Sequence, residues 1–331
     1  MDNFRAYRID EKDDGVTASF QELRIDDLTE GNVVVKVSHS TINYKDALAA
    51  TGAGRILRRY PLNGGIDLAG AVVSSEDRAF KAGDAVLVNG CGLSETFDGG
   101  YAEYARVDSK SLVAIPEGMS AFEAMQIGTA GYTAALAIHR MEQNGQAPGL
   151  GEIVVTGATG GVGSIAIDML SGLGYDAVAL TGKAGEAAYL RSIGASRILL
   201  RDGLDLGKRP MEKALWAGAI DNLGGDYLTW LTRTVGYGGN IASIGLAASH
   251  KLETTVMPFI LRAVCLLGIN SVDTPSDLRR AVWARIGDDL RPQHLDIIGS
   301  KTISFDELPE AFQAYLDGSV TGRVVVEIST P

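Results

Sequence analysis

The sequence contains few of the residues that build disulfide frameworks or metal centres. Its two cysteines, Cys91 and Cys265, are too few for a network of disulfides or for a zinc site made of several cysteines. We expect each to be a small buried apolar residue. The sequence predicts no bound metal, because the four histidines are scattered without a shared ligand spacing: His39, His139, His250 and His294.

Long apolar runs and an excess of positive charge are also missing. No stretch reaches the roughly 18 apolar residues of a membrane-spanning helix, and the N-terminal segment is charged from Asp2 onward. The formal net charge of −11 argues against nucleic acids and anionic membranes as partners, because basic patches bind both. These features predict a cytoplasmic protein without a signal peptide. An anionic ligand would need a local cluster of cations, for which the candidates are Lys183, Arg201 and Arg323.

The chain does contain enough apolar sequence for two domains, with 331 residues of which 46% are hydrophobic and 21% charged. Residues 4–126 alternate short strand-like runs with Gly, Asp, Asn and Pro signals, which predicts a β-rich unit with little helix. Helical periodicity follows over residues 121–141. An amphipathic helix is expected at 305–316, before a closing strand whose composition resembles the first unit. We therefore expect the C-terminus to return to that unit.

Alternating strands and helices after residue 152 predict a parallel sheet with right-handed crossovers and helices on both faces. The expected fold class is α/β, with a β-rich domain formed by residues 1–126 and 303–331 and a doubly wound domain formed by residues 127–302. Strands are expected at 153–156, 176–180, 197–200, 218–222 and 239–245, helical segments at 186–193, 215–217 and 228–234, and a polar helix pair at 273–289.

The most informative stretch is VVTGATGGVGS, residues 154–164. An apolar strand leads into Gly157, Gly160 and Gly163, and helical spacing resumes directly afterwards. Glycines let the backbone approach a pyrophosphate closely, and the N-terminus of a helix offers it unpaired N–H groups. The turn therefore predicts a dinucleotide site. Because Ala158 replaces the first glycine of a strict GxGxxG, a turn that binds no ligand stays an alternative.

The next strand lacks the acidic residue that binds the ribose 2′-hydroxyl in NAD sites. It ends in Thr181, Gly182 and Lys183 instead, and a hydroxyl, a glycine and a cation suit a 2′-phosphate. The sequence therefore favours NADPH over NADH. The alternative is that Lys183 is a solvated lysine at the start of a helix.

Several stretches together resemble the medium-chain dehydrogenase/reductase superfamily over essentially the whole chain. They are NYKDAL, DGGYAEYARV, GTAGYTA, the glycine turn and the closing GRVVVEI. Within that superfamily, TINYKDALAATG, IGTAGYTAALAI, LRSIGASRIL, WAGAIDNLGG and TTVMPFILR resemble the NADPH-dependent acryloyl-CoA reductases of the zinc-free, quinone oxidoreductase-like branch. The resemblance implies a GroES-like catalytic domain followed by a Rossmann domain.

Zinc-dependent members of the superfamily place Cys at the position of Asn43, and Gly-His-Glu where this chain has Gly65, Ile66 and Asp67. They also carry a loop with four cysteines, whereas the matching segment here holds only Cys91. Without these ligands a tetrahedral zinc site cannot form. We therefore expect reduction of an activated C=C bond, with hydride added to the β-carbon of an α,β-unsaturated thioester and a proton added to the α-carbon.

The resemblance also implies roles for individual residues. Tyr44 would lie beside the nicotinamide and donate a hydrogen bond or a proton, or would only pack against the cofactor, and Asn43 would form a turn. Arg323 would reach the site from the last strand, its alternative being a surface ion pair. Cofactor contacts are implied for Thr159, Gly160, Gly161 and Val162 at the pyrophosphate, for Thr181, Gly182, Lys183 and Arg201 at the adenosine 2′-phosphate end, and for Leu246, Ile260 and Ser271 at the nicotinamide.

The leading hypothesis is an NADPH-dependent reductase that converts acryloyl-CoA, or another short 2-enoyl-CoA, to the saturated thioester. A quinone or enone reductase would share every cofactor residue, since the sequence shows no clear CoA-binding motif. A non-catalytic NADPH-binding sensor is the alternative of a different class. The apolar run at residues 259–268 suits an edge strand of a homodimer, and an ordinary core strand would have the same pattern.

Overall fold

The computed structural model describes residues 3–13 and 15–329. Contacts between residues divide the chain into two compact units. The doubly wound domain predicted from the sequence, residues 127–302, includes residues 271–287, which the contacts assign to the first unit. The predicted boundaries of the functional domains stay a prediction. Within the described residues, no helix is long and apolar enough to cross a membrane. The first unit consists of Met1–Tyr132, Ser271–Gly287 and Gly299–Pro331, and the second of Thr133–Asn270 and Asp288–Ile298.

Most regular structure of the first unit is β-strand, which confirms the pattern predicted for its N-terminal part. Elements of both units are numbered together in chain order. In the first unit they are β1 (Phe4–Lys12), β2 (Gly15–Leu23), β3 (Val33–Thr41), α1 (Tyr44–Thr51), β4 (Leu62–Asn63), β5 (Asp67–Ser75), β6 (Ala85–Asn89), β7 (Tyr104–Val107), β8 (Val113–Ala114), α7 (Ser276–Ile286), β15 (Lys301–Ser304), α9 (Leu308–Leu316) and β16 (Val324–Glu327), with 3-10 turns at Ile25–Asp27, Ser109–Ser111 and Phe305–Glu307.

The main sheet of the first unit has the order β15-β16-β3-β5-β6-β8, and β7 also pairs with β3. Strand β3 turns Val33, Val35 and Val37 into the core, where all three are fully buried, because alternate residues of a strand share a face. Strand β5 approaches so closely that a Cβ on Gly70 would lie 2.0 Å from the carbonyl oxygen of Lys36. Strand β16 pairs with β3, so the C-terminal strand returns to the first unit as predicted.

The second unit alternates strands and helices. Its elements are β9 (Ile153–Thr156), α3 (Gly161–Gly172), β10 (Ala177–Thr181), a 3-10 turn (Ala184–Glu186), α4 (Ala187–Ser192), β11 (Arg197–Leu200), β12 (Trp216–Asp221), α5 (Gly225–Thr234), β13 (Val235–Ser243), α6 (Met257–Arg262), β14 (Cys265–Gly268) and α8 (Leu295–Ile298), while α2 (Ala121–Gln143) contains the boundary between the units. The strands form a parallel sheet with the order β11-β10-β9-β12-β13-β14. The strand order reverses between β9 and β12, which is where doubly wound sheets open a crevice at the carboxyl ends of their strands.

Three local predictions are wrong. Residues 215–217, predicted as helical, lead into β12, because pairing with β9 and β13 outweighs the weak helix propensity of so short a segment. Residues 259–268 are not one strand, since Pro258 lies in the first turn of α6 and only Cys265–Gly268 is extended. Residues 273–289 contain one helix, α7 (Ser276–Ile286), rather than a pair of helices.

Candidate cofactor and active sites

The glycine-rich turn joins β9 to α3 in the second unit. Gly157 has a φ of 61°, in the left-handed region that favours glycine. A Cβ on Gly163 would lie 2.4 Å from the carbonyl oxygen of Gly157, so the helix packs against the turn at a distance that only glycine permits. The first N–H groups of a helix have no acceptor within it, and they attract anions. The predicted pyrophosphate residues lie together at this helix start: Thr159, Gly160, Gly161 and Val162.

The carboxyl ends of β9 and β12 are joined by polar side chains that the sequence motifs did not assign to the site. Thr156 Oγ1 donates to Asp221 Oδ1 at 2.8 Å, and Asn222 Nδ2 donates to the carbonyl oxygen of Thr156 at 2.7 Å. Burial raises the pKa of Asp221, opposed by its hydrogen bonds. Asn222 Oδ1 is buried without a hydrogen-bond partner among the described residues. An Asp-Asn pair directly after an apolar strand is the signal that could have revealed this crevice.

Two cationic residues lie near the end of β10: Lys183 follows this strand, and Arg201 follows the neighbouring strand β11. The backbone N–H of Arg201 donates to the carbonyl oxygen of Thr181 at 2.8 Å. The Arg201 guanidinium lies over Gly182, where a Cβ would come within 2.8 Å of Nη2. Thr181 Oγ1 accepts the backbone N–H of Lys183 at 3.0 Å, and burial lowers the pKa of the Lys183 ammonium. The structure thus brings together four predicted residues into a cluster suited to a phosphate.

In the first unit, Asn43 lies between two buried carboxylates. Its Nδ2 donates to Asp67 Oδ2 at 2.7 Å and to Asp46 Oδ2 at 3.1 Å. Asp46 also accepts the backbone N–H groups of Asn43 at 2.8 Å and Ile66 at 2.9 Å. Asn43 and Asp46 therefore form a capping box that fixes the start of α1.

Arg323 holds the other side of Asn43. It is 3% exposed, so the alternative of a surface ion pair is wrong. Its Nη1 donates to Asn43 Oδ1 at 3.1 Å and its Nη2 to Thr41 Oγ1 at 2.7 Å. The same guanidinium also donates to the carbonyl oxygens of Ile42 and Gln126, both at 3.2 Å. Arg323, directly before β16, thus contacts the turn that carries Tyr44 through Asn43, and its role in the active site stays a prediction.

Helix α2 is interrupted at Gly128, and the residue after the interruption joins the hydrogen-bond network of Asn43, Asp67 and Arg323. Gly128 has φ 50° and ψ −157°, a combination open essentially to glycine. A Cβ there would lie 2.8 Å from both Arg323 Nη2 and Thr41 Cγ2. The next residue, Thr129, donates its backbone N–H and its hydroxyl to Asp67 Oδ1, at 2.9 and 2.6 Å. Asp67 therefore accepts hydrogen bonds from two separate segments of the chain.

The two carboxyl groups of this network have perturbed acidities. Burial, followed by the nearby charge of Asp67, raises the pKa of Asp46 to about 7. Burial also raises the pKa of Asp67, and the positive charge of Arg323 opposes that effect. Asp46 is therefore a buried group that titrates near neutral pH. NYKD and GID were singled out in the sequence, but nothing local indicated that their acids share one network.

Tyr44 opens α1 directly after Asn43, and its side chain is 50% exposed. The capping box fixes its backbone while the phenol stays accessible to a ligand.

The three residues predicted to line the nicotinamide lie in different kinds of segment. Leu246 is 65% exposed after β13, Ile260 is 71% exposed on α6 rather than at the end of a strand, and the carbonyl oxygen of Ser271 accepts Arg279 Nη2 at 2.9 Å.

The positions of the superfamily's zinc ligands do not fit a metal in this chain. Asn43 and Asp67 are hydrogen-bonded to each other, and Ile66 has an aliphatic side chain without a donor atom. Within residues 3–13 and 15–329, no three His, Cys, Asp or Glu side chains form a group that could hold a metal ion.

Known proteins match the chain over nearly its whole length. Residues 29–117 match the family described as "Alcohol dehydrogenase GroES-like domain", and residues 161–287 match "Zinc-binding dehydrogenase". The putative quinone oxidoreductase YhfP of Bacillus subtilis (strain 168) is 45% identical, over 98% of this chain and 99% of that protein. The probable acrylyl-CoA reductase AcuI of Escherichia coli (strain K12) is 46% identical, over 98% and 100%.

Solved structures match equally well. The structure of Escherichia coli K-12 YHDH with bound NADPH has a TM-score of 0.94 and 46% identity, covering 98% of this chain and 100% of that one. Bacillus subtilis protein yhfP with NAD bound has a TM-score of 0.95 and 45% identity, covering 99% and 100%.

A GroES-like β-rich domain and a Rossmann sheet with a glycine turn define a two-domain dehydrogenase/reductase. Full-length identity of 45–46% makes the assignment specific. The chain belongs to the medium-chain dehydrogenase/reductase superfamily, in the branch that contains the quinone oxidoreductase-like and acrylyl-CoA reductase proteins.

Proposed function

We propose that this chain binds NADPH and reduces the C=C bond of a short 2-enoyl-CoA, converting acryloyl-CoA to propanoyl-CoA. The observation that carries the proposal is that one chain has two features: a cationic cluster at the end of β10, and Asn43, Ile66 and Asp67 at positions where zinc-dependent relatives have their metal-binding motifs. The first feature favours a phosphorylated cofactor, and the second favours chemistry that needs no zinc. Relatives named acrylyl-CoA reductase, at 43–46% identity, support the choice of acceptor.

The residues of the second unit fit the proposed cofactor. Gly157 and Gly163 let the start of α3 pack directly against the turn, and Thr159 and the following N–H groups would bind the pyrophosphate there. Lys183 and Arg201 would hold the 2′-phosphate. Because Lys183 is a point charge without the bidentate fork of arginine, we expect discrimination against NADH to be incomplete.

When bound, NADPH supplies the hydride that is added to the β-carbon of the thioester. Negative charge then develops on the thioester oxygen, and a hydrogen-bond donor aimed at that oxygen lowers the barrier. The exposed phenol of Tyr44 is the proposed donor, and it is also the proposed source of the proton for the α-carbon. Asn43, held by Asp67 and Arg323, fixes the backbone on which Tyr44 sits.

The test is a reaction with acryloyl-CoA and NADPH carrying deuterium at the transferable C4 position. We expect loss of NADPH absorbance and formation of propanoyl-CoA one mass unit heavier, with the label at C3. If NADPH is not consumed with acryloyl-CoA or with any other short 2-enoyl-CoA, the proposed function is wrong.

A quinone or enone reductase is the second candidate, favoured by the similarity to the protein named putative quinone oxidoreductase. It predicts a higher kcat/KM with a simple quinone than with acryloyl-CoA. A non-catalytic NADPH sensor predicts tight NADPH binding in calorimetry and no product with either acceptor. The same two assays therefore separate all three possibilities.

We further propose a cytoplasmic homodimer. Strand β14 lies at one end of the sheet order, and apolar side chains near it are exposed: Ile260, Leu261 and Leu266 at 71%, 57% and 36%. Such a strand edge favours pairing with a second copy. Light scattering should give twice the 34.9 kDa of one chain, and a mass of one chain would contradict the dimer.

A further inference from the structure

The first unit contains a cationic groove, and one of the residues that line it, Lys45, directly follows Tyr44 in the chain. The groove is lined by Lys45, Arg55, Ile56, Leu57, Arg58 and Glu95. Its volume is about 450 Å³, within the range of about 300–1,000 Å³ that is typical of small-molecule sites. Three of the lining residues are positive and one is negative, which leaves a local charge of +2 on a chain whose net charge is −11.

The groove is held in place by buried groups. Glu95 is 7% exposed, and its carboxylate accepts a hydrogen bond from Lys45 Nζ. The backbone N–H of Arg58 donates to the carbonyl oxygen of Glu95 at 2.7 Å, and Leu57 between the arginines is 2% exposed. Leu57 therefore anchors the segment in the core while Arg55 and Arg58 stay at the surface.

Glu95, the one acidic residue among those that line the groove, already forms ion pairs with Lys45 and Arg58. The Arg58 Nη2 atom lies 3.8 Å from Glu95 Oε2, and the Arg58 side chain is 74% exposed. Arg55 has no carboxylate opposite it in the groove lining; Glu11, which acts with Arg55 on the pKa of Tyr60, lies outside that lining. The arginines are thus available to a polyanionic ligand, which the rest of this acidic surface would repel.

We propose that this groove binds the phosphate groups of the coenzyme A part of the substrate, with Arg55 and Arg58 as the contacts and Lys45 as part of the wall. The inference rests on the proposed function, which makes the substrate an acyl-CoA. Coenzyme A carries a diphosphate and a 3′-phosphate, whereas a quinone carries no charge for the arginines to bind. The groove would therefore distinguish a thioester of coenzyme A from a neutral acceptor.

The first test measures binding directly, by calorimetry with NADPH at saturation so that coenzyme A cannot occupy the cluster at Lys183 and Arg201. The wild-type chain should bind coenzyme A at least about tenfold more tightly than phosphate-free pantetheine. The double variant R55E/R58E should lose this preference, and R78E, which alters an exposed arginine elsewhere in the same unit, should keep it. Equal binding of the two ligands by the wild type, or unchanged binding by R55E/R58E, would overturn the proposal.

The second test uses kinetics with two acceptors that share the reacting C=C bond. R55E/R58E should raise the KM for acryloyl-CoA about tenfold and leave kcat/KM for acryloyl-N-acetylcysteamine unchanged, which also shows that the variant is folded. The milder R55Q/R58Q should give a smaller rise in KM. Equal losses with both acceptors would contradict the proposal. If the wild type reduces neither thioester, the proposed function fails, and the coenzyme A titration still decides the role of the groove.

Discussion

The side-chain amide of Asn43 donates a hydrogen bond of 2.7 Å to Asp67, at two positions where zinc-dependent members of the superfamily have metal-binding motifs. Arg323 donates to Asn43 Oδ1 at 3.1 Å, and its positive charge also acts on Asp67. A hydrogen-bonded polar network thus holds together the segment that a metal would organise in those relatives. Stability and turnover should both depend on it.

Replacing Asp67 by Ala should lower the free energy of unfolding by about 3–5 kcal/mol, because the buried Arg323 would lose its nearby counter-charge and the donors of Thr129 and Asn43 would lose their acceptor. Urea unfolding followed by circular dichroism measures the change. Asp108→Ala is the control, since Asp108 is exposed and its carboxylate accepts the backbone N–H of Lys110 in a short turn, and it should cost less than about 1 kcal/mol. Equal losses in the two variants would show that the network adds nothing to stability.

Gly128→Ala should destabilise the protein by at least about 2 kcal/mol, since the new methyl group meets both backbone strain and the atoms of Arg323 and Thr41. Gly318→Ala separates the two causes, because Gly318 has a φ of 64° but nothing within 4 Å of an added methyl group. That control should cost about 1 kcal/mol. Thermal unfolding compares the variants, and a milder effect at Gly128 than at Gly318 would contradict the packing seen around Arg323.

The raised pKa of Asp46 predicts a pH-dependent stability. An unfolded Asp loses its proton near pH 4, whereas folded Asp46 loses it near pH 7, so the folded state holds an extra proton between these values. This contribution to the free energy of unfolding is fully present below about pH 4 and is lost as the pH rises to 7. Asp46→Asn should flatten the slope over pH 4.5–7 by up to about 1.4 kcal/mol per pH unit. Urea titrations with the same slope for both proteins would rule out the raised pKa.

Lys183→Ala should raise the KM for NADPH about tenfold and change the KM for NADH less than twofold, because only NADPH carries the 2′-phosphate. Arg201→Ala should act in the same direction, since its guanidinium lies over Gly182. Lys251→Ala provides a matched loss of charge in the same unit and should leave both constants unchanged. An equal rise for the two cofactors would refute the phosphate assignment.

Tyr44→Phe should reduce kcat with acryloyl-CoA about 100-fold while leaving the Kd for NADPH unchanged, because phenylalanine keeps the ring and removes the donor. Tyr237→Phe is the control, since Tyr237 is 86% exposed and belongs to the second unit. Wild-type turnover in Tyr44→Phe would leave the ring with a packing role only.

The sequence by itself determined the features that depend on neighbouring residues. Short apolar runs were enough to predict strands of the two larger sheets, and Gly157 with Gly163 predicted a strand-turn-helix, because φ preference and close approach are local properties. Local signals were insufficient at Trp216 and over 259–268. There, strand pairing and a proline at a helix start decide between conformations that short segments favour almost equally.

Only the tertiary structure decided which side chains meet. Arg323 contacts Asn43 from 280 residues away, Asp67 accepts from Thr129 across 62, and Lys45 meets Glu95 across 50. Such encounters depend on how strands are ordered in a sheet, which no short window of sequence contains. The chemistry of each residue could be anticipated from its type, but the network at Asn43 and the groove at Arg55 and Arg58 arise from strands and loops that folding brings together.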